Sequence, residues 1–288
     1  MKKVVVVGGS GFAGSHTADS LSEKGYAVTL FDKAPSSWIK DGQSMVLGDI
    51  TNKKDISNAI EGAYAVYNFA GIADIQESVE KPFETFNLNV MGTVNLLESC
   101  VKNKVKRFVY ASTMYVYSAH GSFYKASKQA SEVIIESYAK EQGLDYTFLR
   151  YGSLYGPRSQ EWNGLNKIVK TILKNKSITY KGTGKELREY IHVKDASELS
   201  VKILNDEYIN KAVILTGHQE INSSQLMNMI SEISGINFTA EFDEKNTDSN
   251  HYAITPYRYS PKTAIKLIPE EFIDLGQGIL ELIEDSSS

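Results

Sequence analysis

The sequence of 288 residues predicts an α/β protein, a doubly wound parallel sheet with a smaller C-terminal α+β part. Three observations predict it. Short β-branched runs alternate with longer helical patterns through the first half. The first run, Val4-Val5-Val6-Val7, is apolar without alternation, as in a strand buried on both faces. Glycines at positions 8, 11 and 14 follow it at once and open a helical pattern.

The remaining elements follow in order. Strands are expected at 4–7, 27–31, 44–47, 65–69, 107–111 and 145–150. Helices are expected between them at 11–24, 55–60, 82–103 and 124–142. Repeated βα units imply right-handed crossovers and a parallel sheet. After residue 152 the rhythm breaks. A Gly- and Asn-containing loop at 156–166 leads into a helix at 167–175. A strand at 188–193, a helix at 194–205 and a buried strand at 212–215 come next. A helix at 223–234, a strand at 238–242, a polar loop at 241–250 and a solvated tail at 286–288 complete the chain.

Composition excludes several classes. Hydrophobic residues are 42% and charged residues 23%, enough apolar material for a core, so the chain is not disordered. With 21 Gly, 6 Pro and one Cys it is neither collagen-like nor a disulfide scaffold. A net charge of −4 argues against nucleic acid as a partner. The single cysteine, Cys100, fits a reducing cytoplasm. The apolar run at 4–7 is too short for a secretion signal, and no stretch suits a membrane span.

The glycine turn carries the first chemistry. Gly8, Gly11 and Gly14 lack side chains, so the backbone can turn tightly and approach a pyrophosphate. The following helix offers unpaired N–H groups and a partial positive charge to that anion. Phe12 and Ala13 lie in the same first turn. Asp32 closes the second strand 18 residues after Gly14, where a carboxylate accepts hydrogen bonds from ribose hydroxyls. A carboxylate there repels a 2′-phosphate, which favours NAD over NADP, although Lys33 stands beside it. Residues 1–152 are therefore expected to form a Rossmann-type cofactor domain, with 188–220 returning to it. Residues 153–187 and 221–288 are left for substrate.

Motifs along the rest of the chain resemble one family. They are Gly48-Asp49-Ile50, Asn68-Phe69-Ala70-Gly71, Asn89-Val90-Met91-Gly92-Thr93 and Tyr124-Lys125-Ala126-Ser127-Lys128. Arg150-Tyr151, Tyr155-Gly156-Pro157-Arg158 and Arg188-Glu189-Tyr190-Ile191-His192-Val193-Lys194-Asp195 follow in the same order. Together with the opening turn, the chain resembles the extended short-chain dehydrogenase/reductases. Within them it is similar to the NAD-dependent epimerase/dehydratase group, the enzymes like UDP-glucose 4-epimerase. The resemblance implies NAD as cofactor and a nucleotide sugar as substrate. It implies that Asp49, Ile50, Phe69, Ala70, Gly71, Asn89 and Tyr151 join the glycine turn, Asp32 and Lys33 around the cofactor.

Tyr124 and Lys128 are spaced i, i+4 and share a helix face. A phenol titrates near 10. An adjacent ammonium lowers that value, so Tyr124 can take a proton from a substrate hydroxyl while Lys128 holds the cofactor's ribose. The resemblance places Thr113 at the catalytic hydroxyl position, with Ser112 as its neighbour. In dehydratases of the group an acid and a base follow that threonine. Here Met114 and Tyr115 follow, which disfavours dehydration and decarboxylation.

Other departures concern the substrate. Six residues, 118–123, replace a longer loop, so the site is expected to be open. Ser153 stands where relatives carry Asn against the diphosphate, and Arg188 is expected to clamp the same group. Tyr259 replaces an Asp in a C-terminal motif that Lys262, Ala264 and Leu267 otherwise fit. His192 is expected to pack, as are Tyr155, Trp162 and Tyr180. No His, Cys, Asp or Glu spacing suggests a metal.

The leading reading is an NAD-dependent epimerase working through a transient keto sugar. A reductase or dehydrogenase of a small carbonyl compound is the second reading, and a non-catalytic NAD sensor the third. A homodimer is expected, because in relatives helices equivalent to 82–103 and 124–142 pair as a four-helix bundle. Val90, Val94, Leu97, Val133, Ile134 and Tyr138 are the apolar positions available for it.

Overall fold

The structure is a computed structural model that describes residues 1–245, 251–256 and 264–287. Tyr259 and Lys262 lie outside the described residues.

The chain starts as the valine run requires. Strand β1 (Lys3–Val7) leads into helix α1 (Phe12–Glu23), then β2 (Ala27–Asp32) and β3 (Ser44–Leu47). Helix α2 (Lys53–Ile60), capped by the Asn52 side chain, precedes β4 (Ala65–Asn68). Helices α3 (Ile75–Glu80), α4 (Pro82–Phe86) and α5 (Gly92–Lys102) lead to β5 (Arg107–Thr113). The long helix α6 (Ser122–Gln142) is followed by β6 (Tyr146–Tyr151). Next come β7 (Ser153–Tyr155), α7 (Gly164–Asn175), β8 (Ser177–Tyr180), β9 (Leu187–Arg188) and β10 (Tyr190–His192). The rest is α8 (Val193–Lys202), β11 (Lys211–Leu215), β12 (Ile221–Asn222), α9 (Ser223–Ser234), β13 (Thr239–Phe242), β14 (Ile265–Leu267) and α10 (Leu275–Ser287).

Eight strands form one sheet in the order β14-β11-β6-β5-β4-β1-β2-β3, and every pairing in it is parallel. Alternate valines of β1 feed its two faces. Val4 and Val6 pack with Ala18, Leu21 and Leu199 from α1 and α8. Val5 and Val7 pack with Ile56, Leu97 and Ile135 from α2, α5 and α6. All four are at most 1% exposed, and each such side chain contributes about 1.5–3 kcal/mol of burial. A second core joins α7, α9 and α10 through Val169, Ile172, Ile230, Ile279 and Leu282. Three two-stranded pairs, β7/β10, β9/β12 and β8/β13, lie outside the large sheet.

Several expectations change. The helix expected at 82–103 is broken into α4, a π-helical turn at Asn87–Met91, and α5. The wide turn absorbs an extra residue while Asn89 points inward, at 1% exposure. Helix α3 was not visible, because six residues are too few to show a period. Residues 188–193 form two short strands interrupted at Glu189. The tail is not free, since α10 runs to Ser287 and the Ser286 hydroxyl donates to Asn166 Oδ1 at 3.5 Å. Residues 221–288 are expected to serve substrate, but Ile265–Leu267 pairs with β11 in the large sheet. Tyr155 is core, as expected, but Trp162 is 45% exposed. Val90 and Leu97 belong to the core and cannot serve an interface, whereas Val94, Ile134 and Tyr138 are half-buried and Val133 is 62% exposed.

Among the described residues no helix is long and apolar enough to cross a membrane, and no cluster of His, Cys, Asp or Glu is placed to hold a metal. Cys100 is buried.

Two histidines tie the parts together. His16 Nε2 lies 3.0 Å from the Pro157 carbonyl, and the His192 ring packs edge-on against Tyr155. Burial pulls both imidazoles down to about 4. They are neutral in the fold, while an unfolded histidine protonates near 6.5. Their contribution to stability is therefore complete above about pH 6.5 and lost as the pH falls toward 4. We expect the urea midpoint to fall through that window, and the double substitution His16→Gln/His192→Gln to flatten the fall.

Candidate active site

The glycine turn is held by backbone alone. Gly8 N–H donates to the Phe31 carbonyl at 2.8 Å and Gly11 N–H to the Gly8 carbonyl at 3.2 Å. Gly8 has φ +79°, and a Cβ there would stand 2.6 Å from Ala70 N. At Gly14 a Cβ would stand 2.2 Å from the Gly8 carbonyl oxygen. Both positions therefore exclude a side chain, which keeps the turn and β4's end in contact. Gly11 caps α1 without a side chain, so the first-turn amides face the cleft unhindered.

The Asp32 carboxylate hangs over this turn. Its Oδ2 accepts from Ser10 N at 3.1 Å and its Oδ1 from Ala34 N at 3.2 Å. Asp49 Oδ1 accepts from the Thr51 amide and hydroxyl, each at 2.7 Å, and those bonds hold its carboxyl below the ordinary range. Gly8, Gly11, Phe12, Ala13, Gly14, Asp32, Lys33, Asp49, Ile50, Phe69, Ala70, Gly71 and Tyr151 all line one cleft. Tyr151 does so without its hydroxyl, which meets Ser200 Oγ at 2.6 Å on α8.

Asn89 is the exception, as it does not line the cleft. Its Oδ1 accepts from Ile72 N at 2.8 Å, and its Nδ2 donates to Ile72 O at 3.0 Å and Ser127 Oγ at 2.9 Å. The amide is spent on bracing the segment after β4. A Cβ on Gly71 would strike Asn89 Oδ1 at 2.2 Å.

The chemical residues converge where β5 ends against α6. Tyr124 is half-buried, and its hydroxyl shares a hydrogen bond with the Thr113 hydroxyl. Burial pushes the phenol up to about 12, opposed by the Thr113 bond. Lys128 is 5% exposed, donates to the Ala111 carbonyl at 2.8 Å, and sits 5.9 Å from the Tyr124 ring centre. Burial lowers its ammonium to about 8, with Glu132 opposing. The lowering of the phenol expected from Lys128 is not seen, and desolvation sets the direction of its shift.

Ser112 is at the cleft wall, but its hydroxyl donates to Glu132 Oε1 at 2.6 Å inside a buried network. Its proton is committed there, which argues against the catalytic part expected of it. Met114 is fully buried, while Tyr115 faces the cleft.

A wall that the sequence did not reveal stands opposite. The Tyr115 hydroxyl meets His251 Nδ1 at 2.5 Å, and its ring lies 4.7 Å from Tyr252 and 6.1 Å from Tyr124. Gly121, at φ +96°, lets the short 118–123 loop close against the Tyr115 ring. Arg188 stacks 4.7 Å over Tyr252 and donates to its neighbour's carbonyl, Leu187 O, at 3.0 Å. Ser153 shares a hydrogen bond with Tyr252. Ser153 and Arg188 both reach the cleft, as do Lys167, Lys181, Tyr180 and Trp162. His251 and Tyr252 belong to no motif, and only the position of Tyr115 after Thr113 hinted at this wall.

The cleft is continuous and encloses about 1300 Å³. A site for one small ligand encloses about 300–1,000 Å³, so there is room for more than one.

The profile of the NAD dependent epimerase/dehydratase family matches residues 4–214. The chain belongs to that family. Its cofactor is NAD, and the glycine turn and Asp32 fit an adenine dinucleotide. The chain is 26% identical to a putative UDP-glucose 4-epimerase of Methanocaldococcus jannaschii, over 97% of each chain. It is 28% identical to a UDP-N-acetyl-alpha-D-glucosaminuronate decarboxylase of Bacillus cytotoxicus, over 78% of this chain and 77% of that one. In fold it is similar to the UDP-glucose 4-epimerase of Thermotoga maritima solved with UDP-glucose. That likeness has a TM-score of 0.83 at 23% identity and covers 98% of each chain.

We expect Asp32 to set cofactor choice. We expect calorimetry to give NAD at least about tenfold tighter binding than NADP, a difference of about 1.4 kcal/mol. Asp32→Ser is expected to narrow the gap, because it removes the charge that a 2′-phosphate meets.

Proposed function

We propose that this chain is an NAD-dependent nucleotide-sugar epimerase that interconverts the C4 epimers of a uridine diphosphate sugar. The observation that carries the reading is the Tyr124–Thr113 hydroxyl pair, set in the one cleft that also holds the glycine turn, Asp32, Arg188, Lys167 and Lys181. The cationic side chains suit a diphosphate. Relatives named as UDP-sugar epimerases support the same substrate class.

Bound NAD supplies the acceptor and donor of the substrate's hydride, and its positive ring favours the ionised phenol. Tyr124 takes the proton of the sugar hydroxyl as the carbon is oxidised. It returns a proton to the same oxygen after the ketone has turned its other face. Thr113 stabilises charge on that oxygen through its hydroxyl. Lys128 holds the cofactor's ribose and keeps a positive charge beside the phenol. The resident proton is conserved, so no solvent base is needed.

Dehydration and decarboxylation are disfavoured. The two positions after Thr113 hold a buried methionine and a phenol bonded to an imidazole, with no carboxyl at either. The relatives include a decarboxylase and a dehydratase, so this exclusion rests on those residues alone.

Tyr124→Phe removes one oxygen and leaves the ring. We expect folding and NAD affinity to persist while the interconversion of UDP-glucose and UDP-galactose falls about 10²–10⁴-fold. A net change in added NADH absorbance during wild-type turnover would instead mark a reductase.

We also propose a homodimer through α4, α5 and α6. Met91 at 51% exposure, Val133 at 62% and Phe83 at 79% give this face an apolar surface, with half-buried Val94, Ile134 and Tyr138 alongside. Light scattering is expected to give twice the chain mass at micromolar concentration, and Val133→Glu to yield monomers.

A further inference from the structure

Tyr124, Lys128 and Glu132 lie at i, i+4 and i+8 on one face of α6. Each grips the end of β5. Tyr124 bonds the Thr113 hydroxyl, Lys128 donates to the Ala111 carbonyl at 2.8 Å, and Glu132 accepts from the Ser112 hydroxyl at 2.6 Å. The first two contacts belong to the reaction described above. The third involves a carboxylate that is 4% exposed and that the mechanism does not use.

Glu132 is itself held from the neighbouring strand. Arg150 Nε donates to Oε1 at 2.9 Å and its Nη2 to Oε2 at 2.8 Å, a two-pronged contact. Arg150 is the register partner of Ser112 across β5 and β6, so both groups on Glu132 come from one cross-strand pair. Arg150 Nη1 also donates to the Tyr117 hydroxyl at 2.5 Å, which ties in the 3₁₀ turn Met114–Tyr117 directly after Thr113.

We propose that Glu132, fixed by Arg150, is a positioning residue that docks the end of β5 on α6 and so places Thr113 against Tyr124 and Ala111 against Lys128. This rests on the epimerase reading for its kinetic readout only. The groups around Lys128 are few. Glu132 and Tyr124 face it from α6, and the Tyr110 ring lies 4.8 Å from its Nζ on β5. Arg150 and Tyr117 stand behind Glu132 on β6 and the 3₁₀ turn. Of these, Glu132 opposes the burial that drives the proton off Lys128.

The test uses the NAD-loaded protein. Glu132→Gln keeps the shape and an acceptor for Ser112 but removes the charge. At pH 7.5 we expect kcat for UDP-glucose to fall about tenfold or more with KM within about twofold. The alkaline limb of kcat moves to lower pH, because Lys128 sheds its proton earlier. NAD affinity measured against pH by calorimetry reads the same charge without turnover, and its alkaline fall moves in the same direction.

Glu132→Gln strands Arg150 without its partner and is prone to misfold. Glu132→Gln/Arg150→Met removes both charges, and buried pairs so replaced commonly leave folding intact. A fall in kcat with KM little changed is expected in this variant too. If the double variant folds and both its kcat and its NAD affinity equal those of wild type, the proposal is wrong, whatever happens to thermal stability. If wild type turns over no nucleotide sugar, the epimerase reading fails and the NAD titration alone decides this one.

Discussion

The approach of α6 to the C-terminal end of β5 governs the rest of the site. Helix and strand touch through polar groups at three successive turns, and each contact needs the others to hold register. A shift of one residue along β5 would turn Thr113 to the opposite face of the sheet and break its meeting with Tyr124. Because the contacts are buried, each unpaired partner would carry a full desolvation cost. The arrangement therefore ties the Thr113 and Tyr124 hydroxyls to one register of strand and helix.

A second constraint is steric and works without side chains. Gly8 and Gly14 bring β1, α1 and the end of β4 together closely enough that no Cβ fits between them. That closeness exposes the first-turn amides of α1 to an anion. Asn89 extends the same design. By filling its hydrogen bonds on Ile72 and Ser127, it fixes the segment after β4 against α6, the helix that carries Tyr124. The π-helical turn is what lets its side chain reach inward at that place.

The part of the cleft around Tyr115 is built differently. Tyr115, Tyr252 and Arg188 stack in sequence across it, with Ser153 bonded behind. Aromatic faces and a guanidinium offer shape and cation–π contact, with few committed hydrogen bonds.

The sequence by itself determined the doubly wound sheet, the glycine turn, Asp32 and the Tyr124–Lys128 pair. These are local: a valine run, a glycine spacing and an i, i+4 pair write their structure into neighbouring residues. The family motifs added Thr113 and the cleft-lining segments. Tertiary structure alone decided the rest. Ser112 and Thr113 are adjacent hydroxyls that no sequence rule separates, yet in the fold one bonds Glu132 and the other Tyr124. Asn89 read as a cofactor contact and proved to be a brace, because its direction depends on a wide helical turn. Burial, which only the folded chain defines, raised the Tyr124 phenol against the pull expected of Lys128. His251 reaches Tyr115 across 136 positions of the chain, a pairing that no local pattern encodes.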